Sequence, residues 1–514
     1  MSSEALQSCL PLLERQIQAK GMVSIPSALK LWLSRVQPLF IDGKWRPGKT
    51  GKTFSTFNPA TGEVLSEIAL AEREDVTEAV QAARAAYQRG DWSRRSMRER
   101  AQVIHRLAEL LLQHRPLLAV LESLDTGKPI RESFEGDILR AAHNFTFFAE
   151  YAAQEESLCF SNPSDLHFAI REPLGVVALI TPWNLPLYLE TWKLAPSLMM
   201  GNSCVLKPSE LTPLTAVYFA ELAEAAGVPA GVFNLIQGFG ENSAGEFLVS
   251  DPGVDAISFT GETGTGRAIM KSASVGPTRV SFELGGKGAS VVFADADFNL
   301  AVSETARAAF RNQGEICLAC PRIFVEHSRY EEFVKTFVAK VQEIVVGDPL
   351  DYSTTMGALI SPEHWNKVTG YLNRVDAPAK ILTGGSRPSH LAHGAYLSPT
   401  VITGVGLNHP ISREEVFGPV VSIYPFSEES EVCQAVNHTP YGLSASIWTS
   451  NMSRAHRIAR ELHSGLVWIN CWFIRDLRVP FGGQKRSGVG REGGKHSLDF
   501  FSEWKSICVK METP

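Results

Sequence analysis

Two cysteines in the stretch RNQGEICLAC, residues 311–320, are spaced so that they could do chemistry. Cys317 and Cys320 form a C-x-x-C pair, which suits a metal knuckle, a redox pair or one nucleophile beside an inert neighbour. A zinc site needs about four ligands, yet the sequence holds no second C-x-x-C and no C-x-x-H. A thioredoxin-like pair opens a helix, whereas this pair leads straight into the strand-like RIFVEH. The sequence therefore favours Cys317 as a nucleophile and predicts no metal site.

A thiol attacks as its thiolate, so it needs polar donors and a base close by. Glu283, in SFELGGKG, lies between apolar residues and glycines. Desolvation of such a carboxyl group raises its pKa toward the range of a general base, although an isolated glutamate is usually a surface residue. Asn184, in TPWNLP, follows a strand-like run. Its amide could cap the next helix or donate to a developing oxyanion, and the sequence leaves both open.

Two glycine-rich turns could bind phosphate. GFGENSAG (238–245) and FTGETGTG (259–266) place glycines where a strand gives way to a helix, which favours a phosphate group. Neither is a full G-x-G-x-x-G, and each suits a tight packing turn equally well. In VLKPSE, Lys207 and Glu210 lie just past another strand, where they could bracket the two hydroxyls of a ribose.

The elements that position these residues alternate in type along the chain. Short β-branched runs lie at residues 175–182, 203–208, 232–238 and 256–261, and again at 289–295, 322–327, 418–426 and 465–470. Helix-like segments separate them. This rhythm predicts an α/β fold with two doubly wound parallel sheets. Two capping boxes, Asp75-x-x-Glu78 and Ser96-x-x-Glu99, predict the starts of two helices that flank the first sheet.

Two segments fit neither sheet. Residues 157–173 predict a hairpin and residues 503–510 a terminal strand; exposed strand edges usually pair, so both are candidates for subunit contacts. Residues 1–37 precede the first fold-like segment and carry acidic residues without an uninterrupted apolar run. They predict a helical extension rather than a secretory signal, with a weak organellar presequence left open.

Composition excludes several classes of function. The 514 residues, 44% hydrophobic, can build two or three domains. Lys and Arg total 49 against 55 Asp and Glu, a net charge of −6, which argues against nucleic acid or an anionic membrane as partner. Eight scattered cysteines favour a reducing compartment, the cytoplasm. Prolines and polar residues break the longest apolar stretch, residues 174–192, which argues against a membrane span.

Seven motifs, in order over about residues 38–510, resemble the aldehyde dehydrogenase superfamily: TPWNLP, VLKPSE, FTGETGTG, FELGGK, NQGEICLAC, EEVFGPV and PFGGQKRSG. The resemblance implies a Rossmann-type NAD-binding domain, a second α/β catalytic domain and a small β element that makes a homo-oligomer, dimer or tetramer. The implied boundaries are 1–37 for the N-terminal extension, 38–152 and 174–284 for NAD binding, 285–498 for catalysis, and 153–173 with 499–514 for oligomerisation.

The resemblance also implies residue roles. Cys317 would be the nucleophile, Glu283 the general base, and Asn184 with the Cys317 amide the oxyanion hole. An aldehyde would be oxidised to its acid through a hemithioacetal and a thioester, with NAD as cofactor rather than NADP because Glu210 repels a 2′-phosphate. The implied cofactor-binding residues are Thr181, Trp183, Lys207, Glu210, Gly240, Gly261, Glu262, Gly266, Leu284, Glu415 and Phe417.

Two positions depart from the family pattern. Glu262 stands where serine is common beside the pyrophosphate, so its side chain must turn away or weaken that contact. Gly288 stands where Asn or Ser is common, which puts the geometry of the thioester-attacking water in question. Neither departure removes a catalytic group.

The substrate class is read from two arginines. Arg475 lies six residues before Phe481 on the loop that lines the substrate mouth in this family, and the planar fork of arginine matches a carboxylate. Arg140 lies on a helix, away from its apolar stripe. DILRAAHNFTFFAE and CWFIRDL resemble the branch that oxidises 2-aminomuconate and 2-hydroxymuconate semialdehydes. That implies a substrate carboxylate clamped by both arginines, in a pocket that Trp192 and Phe481 also line.

Four alternatives stay open. A betaine-aldehyde-like enzyme would bind a cationic substrate on aromatic faces such as Trp192, Tyr188 and Trp472, and a broad-specificity aldehyde dehydrogenase would need neither arginine. A thiol esterase would need no nucleotide, which the ribose-type residues argue against. A non-catalytic relative would be expected to have lost Cys317 or Glu283. Cys320 is predicted to be a small buried residue, and at most an oxidative trap for Cys317.

Overall fold

The first sheet is the scaffold of the candidate site. The computed structural model of the protein describes residues 6–511. Eight strands hydrogen-bond in the order Gly488–Val489, Arg279–Glu283, Ala256–Thr260, Val176–Ile180, Ser203–Lys207, Phe233–Leu235, Leu39–Ile41 and Lys44–Arg46. The five strands from Arg279–Glu283 to Phe233–Leu235 are parallel. The inner three are buried along their whole length, because helices cover both faces of the sheet.

The strand order reverses in the middle of this sheet. From Val176–Ile180 the chain first adds strands on one side, and then returns to add Ala256–Thr260 and Arg279–Glu283 on the other. Ligands of open α/β sheets bind beyond the carboxyl ends of the strands at such a reversal. The predicted doubly wound sheet is confirmed, and its carboxyl edge is where the candidate site lies.

Helices surround the first sheet. The α-helices are Arg73–Arg89, Met97–Gln113, Arg115–Thr126, Ile130–Glu132, Ile138–Ala152, Pro186–Met199, Leu214–Ala226, Ala244–Val249, Thr263–Ala273 and Gly494–Phe500, with a π-turn at Ser133–Asp137. The Ser96 capping box is confirmed. The other predicted box is wrong by three residues, because buried Asp75 closes a box with Glu72 at the start of Arg73–Arg89. That helix packs on the sheet, whereas Met97–Gln113 packs chiefly on Ile138–Ala152.

The second sheet has seven strands. Their order is Lys380–Thr383, Thr400–Thr403, Val420–Phe426, Arg322–Glu326, Ala289–Val292, Ser444–Trp448 and Leu466–Ile469, all parallel except the first. Its helices are Phe298–Phe310, Tyr330–Gln342, Pro362–Leu372, Pro410–Arg413, Glu429–Asn437 and Met452–Glu461, with 3₁₀ turns at Arg311–Gly314 and His327–Arg329. The second predicted alternation is thereby confirmed.

A third, antiparallel sheet joins the predicted hairpin to the predicted terminal strand, and both predictions are confirmed. Its strands are Ser502–Lys510, Asp165–Pro173 and Leu158–Ser161. Arg171 attaches this third sheet to the part of the chain around the first sheet. Its guanidinium pairs with Glu155 at 2.8 Å and with Asp499 at 2.5 Å. Leu158 and Phe160 on its outer strand are 49% and 62% exposed, so this sheet offers an apolar edge.

The chain ends and two small sheets complete the fold. The small sheets are Val36–Gln37, Val64–Ala69 and Thr53–Phe57, and Tyr441–Gly442 with Gln484–Lys485. The helices Leu10–Gln18 and Ser27–Leu33 lie in the predicted extension, and they bury Leu13 and Leu29 completely in the main core. Residues 1–5 and 512–514 of the predicted terminal segments lie outside the described residues. The strand Gly488–Val489, late in the chain, belongs to the first sheet. The domain boundaries that the resemblance implies stay a prediction.

Three further features concern classes of function. Within residues 6–511, the helices are all too short or too polar to cross a membrane. The same part of the chain holds no cluster of three or more His, Cys, Asp or Glu side chains suited to a metal ion. Within residues 6–511, the eight cysteines form no disulfide bond.

Candidate active site

Cys317 follows a strained turn at the end of helix Phe298–Phe310. Asn312, Gln313 and Gly314 have consecutive positive φ angles of 49°, 57° and 72°. A non-glycine residue in this region persists only where its surroundings impose it. Here the Gln313 side chain accepts a hydrogen bond from the Gly357 amide at 3.2 Å. At Gly314 an added Cβ would lie 2.3 Å from the Gly418 carbonyl oxygen, so only glycine fits.

The Cys317 thiol is partly buried at this turn. Burial, followed by the carboxyl groups of Glu415 and Glu283, raises its pKa to about 12, and the Arg475 guanidinium opposes them. The thiol of the free protein is therefore protonated at neutral pH. A reaction that begins with attack by sulfur must remove this proton first.

Glu283 is the last residue of strand Arg279–Glu283 and points its carboxyl group into the same region. The residue is 4% exposed, and neither carboxyl oxygen has a hydrogen-bond partner among the described residues. Burial raises its pKa well above the usual value, and Glu492 adds to this, while Lys193, Arg475 and Arg491 oppose it. A buried, unbonded carboxyl group of this kind is suited to taking up and returning a proton.

Asn184 is held by the turn that carries Cys317. Its Nδ2 donates to the Glu315 carbonyl at 2.8 Å, and the Asn312 amide donates to the Asn184 carbonyl at 3.1 Å. The next helix, Pro186–Met199, has Leu185 at its N-cap and no side-chain cap, so the capping alternative is wrong. The second hydrogen of the Asn184 amide has no acceptor in residues 6–511, and neither has the Cys317 amide. Two free donors beside a thiol can stabilise an oxyanion.

The sequence did not point to Lys193 or Glu492, which adjoin Glu283. Lys193 Nζ donates to Glu492 Oε1 at 2.7 Å and to Ser258 Oγ at 2.9 Å, and the Trp192 indole donates to Glu492 Oε2 at 2.6 Å. The Glu492 carboxylate is fixed close enough to Glu283 to raise its pKa. Lys193 and Glu492 are 299 positions apart, so no local pattern could have joined them.

Candidate nucleotide residues meet at the carboxyl edge of the first sheet. Lys207 ends its strand and lies 3.2 Å from Glu210. Thr181 directly follows Val176–Ile180, and its buried Oγ1 lacks a partner among the described residues. Gly240 has open space where a Cβ would stand. An unbonded hydroxyl, a lysine–glutamate pair and an open glycine turn fit a bound adenosine nucleotide.

The second glycine turn places its residues differently. Gly261 and Glu262 follow strand Ala256–Thr260, and Glu262 is the exposed N-cap of helix Thr263–Ala273. Its carboxylate lies over the first turn of that helix, where a Cβ added at Gly264 would be 2.8 Å from Glu262 Oε2. Gly266 packs on Leu284, where an added Cβ would lie 2.6 Å from Leu284 Cδ2. That glycine is required for packing.

Glu415, Phe417 and Trp183 lie on the side of the thiol that adjoins the nucleotide residues. Glu415 Oε1 accepts from the Gly286 amide at 2.7 Å, and burial raises its pKa to about 7. The ring of Phe417 stands edge-on to that of Trp183, with centroids 5.2 Å apart. The sequence did not point to His364, whose ring is 5.3 Å from Trp183 and whose Nε2 is 2.6 Å from the Phe417 carbonyl oxygen.

Arg475 and Arg140 share a pocket lined with aromatic rings. The guanidinium of Arg475 lies 3.8 Å from the Phe481 ring and 4.9 Å from that of Trp192. Arg140 lies 5.5 Å from the Tyr188 ring, and Arg475 Nη1 is 3.5 Å from the Tyr188 hydroxyl. In each arginine a buried Nη2 has no hydrogen-bond partner in the described part of the chain. Two cations therefore present free donors to one pocket.

The helix Ile138–Ala152 fixes Arg140 in place. Arg140 Nε donates to Asn144 Oδ1 at 3.2 Å, and the Asn144 amide donates to the Tyr188 carbonyl at 3.1 Å. Burial lowers the pKa of Arg140, with the Arg475 charge acting in the same direction. The side chain of Arg140 is therefore largely enclosed.

Two remaining residues of the predicted site are packing residues. Cys320 is fully buried, as predicted, and its thiol contacts Ser290 and Ser446 in the second sheet. At Gly288 an added Cβ would lie 2.4 Å from the Ala319 carbonyl oxygen. Glycine is thus required at position 288, because a side chain there would clash with the backbone of the segment after Cys317.

A cysteine after a strained turn, a buried unbonded glutamate and two free oxyanion donors beside a nucleotide-type sheet edge match one known family. The model of the aldehyde dehydrogenase family matches residues 45–507. The chain belongs to the aldehyde dehydrogenase family. This aldehyde dehydrogenase is an oxidoreductase with the fold that the sequence predicted.

Relatives with assigned activities share much of its sequence. A 2-hydroxymuconic semialdehyde dehydrogenase from a Pseudomonas strain is 46% identical over 481 residues, covering 92% of this chain and 99% of the relative. A 2-aminomuconic semialdehyde dehydrogenase from Bos taurus is 47% identical, covering 92% and 97%. The NAD⁺ complex of a Bacillus cereus aldehyde dehydrogenase superposes with a TM-score of 0.93 at 37% identity, covering 96% of this chain and all of the other.

Proposed function

We propose that this dehydrogenase oxidises an anionic semialdehyde of the 2-hydroxymuconate or 2-aminomuconate type to its acid, with NAD as cofactor. NAD is supported by the family and by solved relatives in complex with NAD⁺. Glu210, beside Lys207 at the ribose end, disfavours the extra phosphate of NADP. The curated relatives at 44–47% identity act on muconic semialdehydes.

One observation carries the choice of substrate. Arg140 and Arg475 each hold a buried guanidinium nitrogen without a partner in residues 6–511, and neither has a carboxylate partner there. A substrate carboxylate would satisfy both nitrogens and both charges at once, with charge-assisted hydrogen bonds. The pocket therefore favours an aldehyde that carries a carboxylate at its far end.

The aromatic rings beside the two arginines argue against a cationic substrate. The three aromatic residues that could hold betaine aldehyde are Trp192, Tyr188 and Trp472, and each already faces a guanidinium, of Arg475, Arg140 and Arg307 at 4.9, 5.5 and 5.1 Å. A second cation would meet repulsion without a free aromatic face. The betaine-like alternative is disfavoured for this reason.

The proposed chemistry begins with Cys317. Its sulfur adds to the aldehyde carbon after the thiol proton leaves, and the resulting oxyanion accepts from Asn184 Nδ2 and the Cys317 amide. The residues at the sheet edge, among them Lys207, Glu210 and Glu415, would hold NAD⁺, which would supply the acceptor for the hydride of this carbon. The product is a thioester on Cys317. Glu283 then takes a proton from water, which attacks the thioester and releases the acid together with the thiol.

A thiol esterase remains the second candidate from another class. Cys317 and Glu283 would hydrolyse an ester through the same thioester without redox chemistry. The nucleotide residues at the sheet edge disfavour it as the main activity, since an esterase has no use for Lys207, Glu210 and Glu415. Acid formation that requires no NAD⁺ would identify this activity.

We also propose a cytoplasmic homo-oligomer. Its support is the apolar edge of the terminal sheet, where Leu158 and Phe160 are exposed. The eight cysteines form no disulfide bond within residues 6–511, which suits a reducing compartment. Light scattering of the purified protein decides between monomer, dimer and tetramer.

The substrate proposal is tested with a panel of aldehydes. The enzyme is assayed with 2-hydroxymuconate semialdehyde, an uncharged aldehyde of similar length and betaine aldehyde, following NADH formation. We expect the highest kcat/KM with the anionic aldehyde. Equal or better turnover of betaine aldehyde would contradict the proposal, and acid formation without NADH would favour the esterase.

A further inference from the structure

His364 lies outside the reacting groups but connects the two sides of the site. It belongs to the first turn of helix Pro362–Leu372, where its backbone amide donates to the N-cap residue Ser361 at 3.1 Å. Its side chain is nearly enclosed, with 10% exposed. Both its backbone and its ring are therefore fixed, and the ring can act as a rigid support.

The ring donates to the backbone of Phe417. Nε2 lies 2.6 Å from the Phe417 carbonyl oxygen, and a carbonyl oxygen can only accept, so Nε2 carries the hydrogen. Burial lowers the pKa of His364 to about 4, so this is the neutral imidazole at ordinary pH. The hydrogen bond fixes the peptide plane between Phe417 and Gly418.

Phe417 needs such support because its backbone is strained. Its φ is +58°, and a bulky residue in the left-handed region costs about 1–3 kcal/mol. The adjoining peptide also touches the nucleophile turn, where the Gly418 carbonyl oxygen blocks any side chain at Gly314. A shift of this peptide would therefore disturb both Phe417 and the turn that precedes Cys317.

Glu315 completes the connection from the other side. Its carboxyl Oε1 accepts from the Ile360 amide at 3.1 Å and lies 3.6 Å from His364 Nε2. Its carbonyl oxygen accepts from Asn184 Nδ2. Burial raises the pKa of the Glu315 carboxyl well above its usual value.

We propose that His364 is a positioning residue that sets the Phe417 ring against the nicotinamide. Through Glu315, His364 also keeps that ring at a fixed position relative to Asn184 and Cys317. The inference rests on the proposed place of Phe417 beside the nicotinamide. His364 touches no reacting atom in this scheme. It acts only through the Phe417 carbonyl and the Glu315 carboxyl.

The test uses three substitutions in the full chain. His364→Leu removes the donor, His364→Gln keeps an amide donor at similar reach, and His364→Asn keeps an amide one methylene too short. A matched control is His390→Leu, because His390 Nε2 also bonds a backbone carbonyl, that of Val346 at 3.1 Å, away from the site. Calorimetric Kd for NAD⁺, KM for NAD⁺, kcat and thermal stability are measured for each.

We expect His364→Leu and His364→Asn to raise the Kd for NAD⁺ by about fivefold to tenfold, as loss of one neutral hydrogen bond does. His364→Gln should recover most of this affinity, and His390→Leu should leave it unchanged. Should His364→Leu not fold, the comparison of Gln with Asn decides. Equal affinities for Gln and Asn, or losses that follow stability alone, would overturn the proposal.

Phe417→Ala separates this inference from the function on which it rests. If Phe417→Ala leaves NAD⁺ affinity unchanged, the proposed place of Phe417 is wrong. If Phe417→Ala weakens NAD⁺ binding while His364→Leu does not, only the role of His364 is wrong.

Discussion

The carboxyl group of Glu283 lies close enough to the thiol of Cys317 to raise the pKa of that thiol, on top of the effect of burial. The thiol is therefore protonated in the free protein at neutral pH. This predicts that the rate of Cys317 alkylation by iodoacetamide rises with pH throughout the range from about 6 to 9, because a thiol titrating far above this range gains thiolate tenfold per unit. Cys317→Ala identifies the labelled residue. A plateau near neutral pH would mean an already ionised thiol.

Replacing Glu283 by glutamine should separate the two halves of the reaction. Without a proton acceptor for water, the thioester on Cys317 accumulates, so we expect one equivalent of NADH in a burst and then turnover slowed by about 10²–10⁴-fold. Stopped-flow absorbance measures both phases. If Glu283→Gln abolished the burst as well, Glu283 would act before hydride transfer rather than after it.

The carboxylate of Glu210 should exclude NADP. Glu210→Gln removes the charge that faces a 2′-phosphate and keeps the shape and the neighbouring Lys207, with which Glu210 pairs at 3.2 Å. We expect KM for NADP to fall by about tenfold while KM for NAD rises, since the ribose loses its best acceptor. Steady-state kinetics with both cofactors measure the ratio. An unchanged ratio would place the 2′-hydroxyl elsewhere.

The sequence could predict those parts of the site that are formed by residues close together along the chain. The motifs around Cys317, Glu283 and Asn184 are local, and the structure brings all three together. The strands Arg279–Glu283, Thr400–Thr403 and Ser444–Trp448 were not predicted, since they are short and charged, or rich in small residues, without alternation. These strands are buried because other strands lie on both sides of them in the sheet. A local sequence pattern carries no information about such neighbours.

Contacts between distant segments could not be predicted at all. The support of Glu492 by Lys193 and the hydrogen bond from His364 to Phe417 join residues on different elements. The orientation of Arg140 is a related case, since Asn144 and Tyr188 enclose it only after two helices pack. Its place away from the apolar stripe of its helix did not show by itself which residues would enclose it.

Glu190 should lower the stability of the fold. It is fully buried in helix Pro186–Met199, neither oxygen has a partner among residues 6–511, and burial, followed by Glu122 and Asp125, raises its pKa well above 4.5. A carboxyl group with a raised folded pKa destabilises the native state increasingly as pH rises above its unfolded value. Glu190→Met should therefore stabilise by about 1–3 kcal/mol, and more at pH 7 than at pH 5.

Calorimetric unfolding at both pH values measures this gain. Glu150→Met, at an exposed position of a nearby helix, is the control and should change stability by less than about 0.5 kcal/mol. A loss of stability in Glu190→Met would show that Glu190 has a partner that the protein atoms alone do not supply.

The central claim is that Arg475 binds a substrate carboxylate, and one pair of variants tests it most directly. Arg475→Ala is compared with Arg478→Ala, since Arg478 lies on the same loop but is exposed and bonded to Asp476 at 2.6 Å. We expect Arg475→Ala to raise KM for 2-hydroxymuconate semialdehyde by about tenfold to a hundredfold, the effect of losing a charge-assisted pair, with little change for an uncharged aldehyde. Arg478→Ala should leave both values unchanged. Equal KM increases for both aldehydes in Arg475→Ala, or none, would contradict the claim.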